Sequence, residues 1–276
     1  MPKNHSTMPL TLPVAGREEY VIEAVDRALQ MLEVLGDQPS LGVTEIARRM
    51  QVSKTLAFRL LHTLERWDYV TRDAEHRTAS LGYRLLHLAK RATDHSTILR
   101  STRAEMDDLA ARVDEDINLY VRIGPYSVCV ANRRSRHTLH QAAEPGRRGL
   151  LHAGGSSSVL LAFAPPDIQE AVLAGELKRF TPQTLVDPRR LRLRIRKIQE
   201  DGVHVARGDV NTVGFSVAAP IFGPSGLAIA SLSIAGMLSR LTPELEAHYC
   251  VLVTEAAIRM SAELGGFTRA ATADAV

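Results

Sequence analysis

Residues 44–67 read TEIARRMQVSKTLAFRLLHTLERW, and two helical patterns follow each other within them. A short helix is predicted from Thr44 to Met50, with Thr44 as its N-cap and one apolar stripe. Three residues later, Ser53 is suited to cap a longer helix that runs to about Trp67. A short helix, a tight turn and a longer helix are the parts of a helix-turn-helix, whose second helix lies in the DNA major groove.

The flanking residues extend this pattern to a winged helix-turn-helix over residues 20–86. Val21–Leu35 has apolar residues on one helical face, and Gly36 is predicted to end that helix. Tyr69–Arg72 and Thr78–Leu81 flank a polar tip, which predicts a hairpin that serves as the wing. The candidate DNA-binding residues carry hydroxyl, cationic, imidazole or aromatic groups: Ser53, Lys54, Thr55, Phe58, Arg59, His62, Arg72, His76 and Arg77.

Bulk charge does not support DNA binding by this region. Nine Lys and Arg face nine Asp and Glu between Tyr20 and Leu86, so nucleic-acid binding depends on where the charges lie. A three-helix scaffold with an ordinary solvated face stays open as the alternative.

The composition indicates a soluble protein of two ordinary domains. The chain has 276 residues, of which 45% are hydrophobic and 24% charged. No apolar run has the roughly 18 residues that a membrane span needs, so no membrane partner is expected. Cys129 and Cys250 lie far apart, which suits the cytoplasm. Residues 1–19 are expected to form a flexible leader and residues 267–276 a flexible tail.

The remaining patterns predict a linker helix and an α+β domain. Residues 87–104 are assigned to a linker helix, with a soft break at 93–96, that either pairs two protomers or packs as an ordinary helix. Over residues 105–266, short strands alternate with helices, which predicts an antiparallel sheet covered by helices. The ten histidines show no zinc spacing and no dinucleotide fingerprint is present, so neither metal nor cofactor is expected.

A candidate anion site lies at residues 154–158, which read GGSSS before an apolar run. Small residues at a helix N-terminus expose backbone N–H groups, and the helix dipole attracts an anion there. A helix simply capped by a serine is the alternative. The arginine-rich segment 189–197 has a buried apolar stripe at Leu191, Ile195 and Ile198, so its arginines are interpreted as a solvated basic face.

Blocks in both halves resemble the isocitrate-lyase-regulator (IclR) family of bacterial transcription factors. In the first half they are residues 25–29 (VDRAL), 44–47 (TEIA), 53–55 (SKT), 59–61 (RLL) and 80–82 (SLG); in the second, residues 151–153 (LHA), 160–162 (LLA), 202–207, 217–222 (VAAPIF) and 230–236 (ASLSIAG). The resemblance covers residues 20–264. It implies a dimer or tetramer with a GAF-like effector domain that binds a small organic or aromatic acid.

The effector-binding residues expected from the resemblance and from the anion site are Leu150, His152, Gly154, Gly155, Ser156, Ser157, Asp209, Ser216, Ser231 and Ser233. The chain departs from the family pattern at residues 157–159, where Ser-Ser-Val replaces Gly-Lys-Ala, and at Ala235, where some relatives have a hydroxyl. Fewer polar groups therefore remain for a carboxylate, and we expect a ligand larger or less polar than a simple keto acid.

Three functions compete at this stage. The leading one is a DNA-binding transcriptional regulator, dimeric or tetrameric, that a small acid controls through the C-terminal domain. The second is an enzyme that converts a small acid and is recruited elsewhere by its N-terminal domain, although no nucleophile–base pair or metal set is evident. The third is a DNA-packaging protein, which the large second domain and the neutral first one disfavour.

Overall fold

A computed structural model of the protein describes residues 20–138 and 143–266. The predicted leader of residues 1–19 and the predicted tail of residues 267–276 lie outside these ranges. The chain divides between His95 and Ser96 into two compact units.

The N-terminal unit is a winged helix-turn-helix, which confirms the predicted fold. Its elements are α1 (Glu23–Asp37), β1 (Leu41–Gly42), α2 (Val43–Arg49), α3 (Lys54–Arg66), β2 (Val70–Asp73), β3 (Thr78–Leu81) and α4 (Arg84–His95). The three strands form an antiparallel sheet in the order β1-β3-β2. Met31, Ile46 and Leu61 of the three packed helices are each fully buried, so α1, α2 and α3 share one apolar core.

Two predicted helix ends were wrong. α2 begins at Val43 with Gly42 at its N-cap, because Leu41 and Gly42 pair with β3 and keep the chain extended up to that point. Thr44 therefore lies inside the helix. Gly36 does not end α1, which continues to Asp37; Gln38 leaves the helix in an extended conformation and its N–H bonds to the Val34 carbonyl.

The predicted linker helix of residues 87–104 is not continuous. It is divided among α4, α5 (Thr97–Ser101) and α6 (Arg103–Arg112). Ser96 has an extended backbone, and its hydroxyl oxygen accepts a hydrogen bond from the Leu99 N–H, which starts a new helix. Side-chain capping at Ser96 thus overrides the helical propensity on both sides.

The C-terminal unit is an antiparallel sheet covered by helices, as predicted. Its elements after α5 and α6 are β4 (Asp116–Ile123), β5 (Tyr126–Arg133), β6 (Arg148–Leu150), α7 (Gly155–Ala162), α8 (Pro166–Ala174), α9 (Pro188–Asp201), β7 (His204–Arg207), β8 (Gly214–Phe222), β9 (Ala228–Met237), a short 3-10 helix (Leu238–Arg240) and α10 (Pro243–Glu263). The strand order is β6-β5-β4-β9-β8-β7. Strand β6, which the sequence pattern did not predict, forms one edge.

The two faces of this sheet differ in character, and strand alternation explains the difference. Phe215, Val217 and Ala219 of β8 pack with α6 and α10 in a large apolar core. On the opposite face, Ala218 packs with residues of α7 and α9, and Ser216 lies against Gly155. The polar residues of the central strands therefore lie beneath α7.

Candidate functional site

The N-terminus of α3 presents a row of exposed polar side chains. The Ser53 hydroxyl oxygen accepts a hydrogen bond from the Leu56 N–H over 3.2 Å and caps the helix. Ala57, Leu60, Leu61 and Leu64 face the core. The opposite face carries six of the predicted DNA-binding residues, all exposed: Ser53, Lys54, Thr55, Phe58, Arg59 and His62. This face can offer cationic and hydroxyl donors to phosphates and base edges.

The wing is attached to α3 through Arg72. Its guanidinium lies 5.2 Å from the centre of the Phe58 ring, a cation–π distance, and 3.4 Å from a Glu65 carboxylate oxygen. Two of the predicted DNA-binding residues, Phe58 and Arg72, thus form one contact between helix and wing.

At the tip of the wing, Asp73 holds the turn in place. Its carboxylate accepts hydrogen bonds from the N–H groups of Glu75 and His76, and its second oxygen lies 2.8 Å from the His76 ring. These bonds, chiefly the one from the His76 backbone, lower the pKa of Asp73. Arg77 has φ +53°, so the tip is a tight turn with Arg77 exposed.

In the C-terminal unit, the two glycines that precede and begin α7 place its N-terminus against β8. Gly154 has φ +89°, which favours glycine. A Cβ at Gly155 would lie 2.5 Å from the Ser216 hydroxyl oxygen and 2.9 Å from the Ser216 carbonyl oxygen. Only a residue without a side chain permits this close approach, which brings the predicted residues Gly154, Gly155 and Ser216 together.

Asp209 reaches the same helix end from the loop after β7. Its Oδ2 accepts a hydrogen bond from the Gly154 N–H over 3.0 Å, and the side chain is only 8% exposed. The backbone of Asp209 is fixed as well, because the Thr184 hydroxyl donates to its carbonyl oxygen over 2.7 Å. Arg194 of α9 approaches the same carboxylate oxygen, with its Nη1 3.6 Å from Oδ2.

The buried serines near α7 differ in their hydrogen bonding. Ser157 shares a 2.7 Å hydrogen bond with Ser127 of β5, and Ser231 donates to the Ala219 carbonyl oxygen, so both hydroxyls serve the fold. The Oγ atoms of Ser156 and Ser158 are buried without a hydrogen-bond partner among the described residues. Ser233 is 1% exposed and lies between Asn118 and Ala218 in the sheet register.

Two histidines border this region in their neutral form. His152 is 2% exposed, its Nε2 lies 2.9 Å from the Lys178 carbonyl oxygen and its ring stacks on Phe180. Burial lowers the pKa of His152, and it lowers the pKa of His204 to about 4. The carbonyl oxygen indicates that His152 Nε2 carries the proton.

The structure brings six of the predicted effector residues to the N-terminal end of α7: Gly154, Gly155, Ser156, Ser157, Asp209 and Ser216. Ser231 and Ser233 lie on β9. Leu150, half-buried, ends β6 two residues before His152. Sequence reasoning missed Arg194 and His204. A signal existed for Arg194, because it lies three residues after Leu191 and four before Ile198 and so borders the buried stripe of α9.

Within residues 20–138 and 143–266, no group of three or more His, Cys, Asp or Glu side chains is arranged to hold a metal ion. None of the helices in these ranges combines the length and apolar character that a membrane crossing requires.

Two family models match the chain, one within the N-terminal unit and one that begins in α4 and covers most of the C-terminal unit. Residues 24–74 match the IclR helix-turn-helix domain, and residues 90–262 match the C-terminal domain of the bacterial transcriptional regulator IclR. The chain is 28% identical to the HTH-type transcriptional regulator KdgR of Escherichia coli over 245 residues, which are 88% of this chain and 93% of KdgR. It is 28% identical to the transcriptional repressor AllR of the same organism over 255 residues, 92% of this chain and 93% of AllR.

Solved structures show the same architecture. An IclR transcriptional regulator from Alicyclobacillus acidocaldarius superimposes with a TM-score of 0.82 at 26% identity, covering 89% of this chain and all of that one (100%). An IclR homologue from Microbacterium hydrocarbonoxydans, solved in complex with 4-hydroxybenzoate, gives a TM-score of 0.76 at 26% identity, covering 87% of this chain and 98% of the other.

Proposed function

Because the chain belongs to the IclR family of bacterial transcriptional regulators, we propose that it binds operator DNA through α3 and the wing and that a small acid controls this binding. It is a regulator and not an enzyme. The observation that carries the proposal is the pairing, in one chain, of an exposed cationic α3 with a cluster of buried polar side chains at the N-terminus of α7. We place its action in the cytoplasm, with the bacterial DNA.

We propose separate roles for the DNA-binding residues. Lys54 and Arg59 bind phosphates or guanine acceptors, as their exposure and charge support. Ser53 and Thr55 lie at the helix N-terminus, which favours phosphate. Phe58, His62, Arg72, His76 and Arg77 complete the surface. Because the Asp73 carboxylate is engaged at the wing tip, its negative charge is partly offset there.

The proposed effector is an organic or aromatic acid bound at the N-terminus of α7. The homologue in complex with 4-hydroxybenzoate supports an aromatic acid as one candidate. Further support comes from the Ser156 hydroxyl, which has no hydrogen-bond partner among the described residues, and from the helix dipole; both favour a carboxylate. Residues 105–266 are proposed as the effector domain and residues 87–104 as the linker.

We propose a homodimer that pairs through the N-terminal unit. Large apolar side chains are exposed on α1 and α4 and on the residues just before each of these helices: Tyr20, Val21, Ile22, Val25, Leu29, Tyr83, Leu86 and Leu88. An exposed apolar surface of this kind is typical of an interaction site. A second copy of the chain would cover it and would present two α3 helices to half-sites about 34 Å apart. A dimer of dimers is the larger assembly proposed.

A salt-titrated gel shift on the protein's own upstream DNA tests this function. The expected result is a discrete complex that competitor DNA does not displace and that one candidate acid removes or strengthens. Steep salt dependence without sequence preference would instead support a DNA-packaging role. The absence of any DNA complex would contradict the proposal.

A further inference from the structure

Arg194 has an unusual environment for an arginine. It borders the buried face of α9, its side chain is 23% exposed, and its Nη1 is buried without a hydrogen-bond partner among the described residues. Buried guanidinium groups are ordinarily hydrogen-bonded, because an unsatisfied charged donor is costly. Arg194 therefore has donor capacity directed into the interior of the C-terminal unit.

The nearest carboxylate does not satisfy this donor. Asp209 Oδ2 lies 3.6 Å from Arg194 Nη1, beyond hydrogen-bond distance, and instead accepts from the Gly154 N–H at 3.0 Å. Asp209 thus holds the guanidinium beside the α7 N-terminus by charge without a hydrogen bond to Nη1.

The first turn of α7 also contains unsatisfied polar groups. The hydroxyls of Ser156 and Ser158, 4% and 1% exposed, are also buried without a partner among the described residues. Ser156 lies in the first turn of α7, next to the Gly154 N–H that binds Asp209. A carboxylate has two oxygens and about four lone-pair positions, so one bound carboxylate can satisfy several of these donors.

The charge balance also favours an anion. Arg194 and Asp209 cancel each other, and the partial positive charge of the α7 N-terminus remains. Arg190, one turn earlier on α9, acts on Arg194 as a second positive charge. His204 adds no charge near pH 7, since burial lowers its pKa to about 4. Arg194 is therefore the cation whose buried donor is open to a ligand.

We propose that Arg194 binds the carboxylate of the effector, an assignment that rests on the proposed function. The planar guanidinium gives two parallel hydrogen bonds to a carboxylate, which a neutral amide of the same shape does not match. Asp209 is the positioning residue that holds Arg194 beside α7. Arg194 thereby sets the preference for acids over their uncharged analogues.

Calorimetric titration of the full-length protein tests this role. The ligands are benzoate, 4-hydroxybenzoate, phenylacetate, pyruvate and glycolate, each paired with its amide. We expect the wild type to bind at least one acid more tightly than its amide. Arg194→Gln should weaken that acid about ten- to a hundredfold and leave the amide unchanged. Arg196→Gln, an exposed control on the same helix, should behave as the wild type.

The outcomes distinguish a failure of the Arg194 assignment from a failure of the proposed acid effector. If Arg194→Gln keeps the wild-type preference for the acid over its amide, Arg194 is only an ion-pair partner of Asp209 and the inference is overturned. If the wild type binds none of the acids, the proposed effector class fails and this assignment fails with it. If Arg194→Gln does not fold, Arg194→Lys decides. If Arg194→Lys lowers the preference for the acid over its amide about threefold or more, the paired hydrogen bonds of the guanidinium are supported. An unchanged preference contradicts them.

Discussion

The carboxylate of Asp209 accepts a hydrogen bond from the backbone N–H of Gly154 over 3.0 Å, and this bond fastens the loop after β7 to the N-terminus of α7. Asp209→Ala removes the acceptor of the Gly154 N–H and the ion-pair partner of the Arg194 guanidinium. We expect the free energy of unfolding to fall by about 1–3 kcal/mol. Urea unfolding followed by circular dichroism measures the change. Asp201→Ala, at an exposed end of α9, is the control, and equal losses in both variants would contradict the role of Asp209.

Gly155 permits the contact between α7 and β8. Gly155→Ala introduces a methyl group 2.5 Å from the Ser216 hydroxyl oxygen, so α7 or β8 must move. We expect a loss of about 1–3 kcal/mol in unfolding free energy, as is typical of overpacking. Gly36→Ala adds the same methyl group to helix α1, where the nearest atom is 3.7 Å away, and should not destabilise the protein. A Gly155→Ala variant as stable as the wild type would show that this approach is not required.

The cations of α3 provide the third prediction. Lys54→Ala and Arg59→Ala should each weaken binding to upstream DNA. Each should also reduce the slope of log affinity against log salt by about 1 for every phosphate that the variant no longer neutralises. Fluorescence anisotropy of labelled DNA at several salt concentrations measures both quantities. Far-ultraviolet circular dichroism checks that each variant is folded. Arg196→Ala is the matched control; unchanged salt slopes for both α3 variants would remove α3 from the interface.

His204 makes stability depend on pH. Burial lowers its pKa in the folded protein from 6.5 to about 4. The unfolded chain therefore binds a proton first as the pH falls below 6.5, and stability is lost between pH 6.5 and 4, by at most about 3 kcal/mol. The shift of His152 has the same direction. Urea unfolding at pH 6.5 and 4.5 should show a smaller loss for His204→Asn than for the wild type or for His248→Asn, an exposed control. Identical losses would contradict this assignment.

The exposed apolar surface of the N-terminal unit predicts the effect of a charge there. Leu29 and Leu86 are 57% and 67% exposed. Leu29→Lys combined with Leu86→Lys should convert the dimer to monomers in sedimentation equilibrium and weaken DNA binding, because a buried lysine without a partner opposes association. Ile123→Lys, similarly exposed at the end of β4, should leave the mass unchanged. A double variant that remains dimeric would move the interface elsewhere.

The sequence predicted the fold well because its patterns are local. The cap at Ser53, the turn at 124–126 and the Asp187-Pro188 helix start all lie where short-range chemistry acts. The features that the sequence did not predict depend on tertiary contacts. Strand β6 has three residues and depends on pairing with β5, and the Gly42 helix start depends on pairing of β1 with β3. Neither is visible in the residues themselves.

The candidate acid site was only partly predictable, for a similar reason. The glycine-serine run at 154–158 indicated a helix N-terminus, but the partner of each hydroxyl depends on distant strands, as with Ser157 and Ser127. Arg194 was interpreted as part of a solvated basic face, although its spacing from Leu191 places it at the edge of the buried stripe. The approach of α9 to the loop at Asp209 decides its role, and this approach joins residues fifteen positions apart in sequence.

Regulation by an acid requires that the proposed acid site and the proposed DNA site are coupled within this molecule. The direct test is to measure the affinity of an acid by calorimetry with and without saturating operator DNA, and the affinity of the DNA with and without that acid. Coupling between two sites is reciprocal, so we expect both affinities to change by the same factor, about 5- to 150-fold. An acid affinity that DNA leaves unchanged would contradict it.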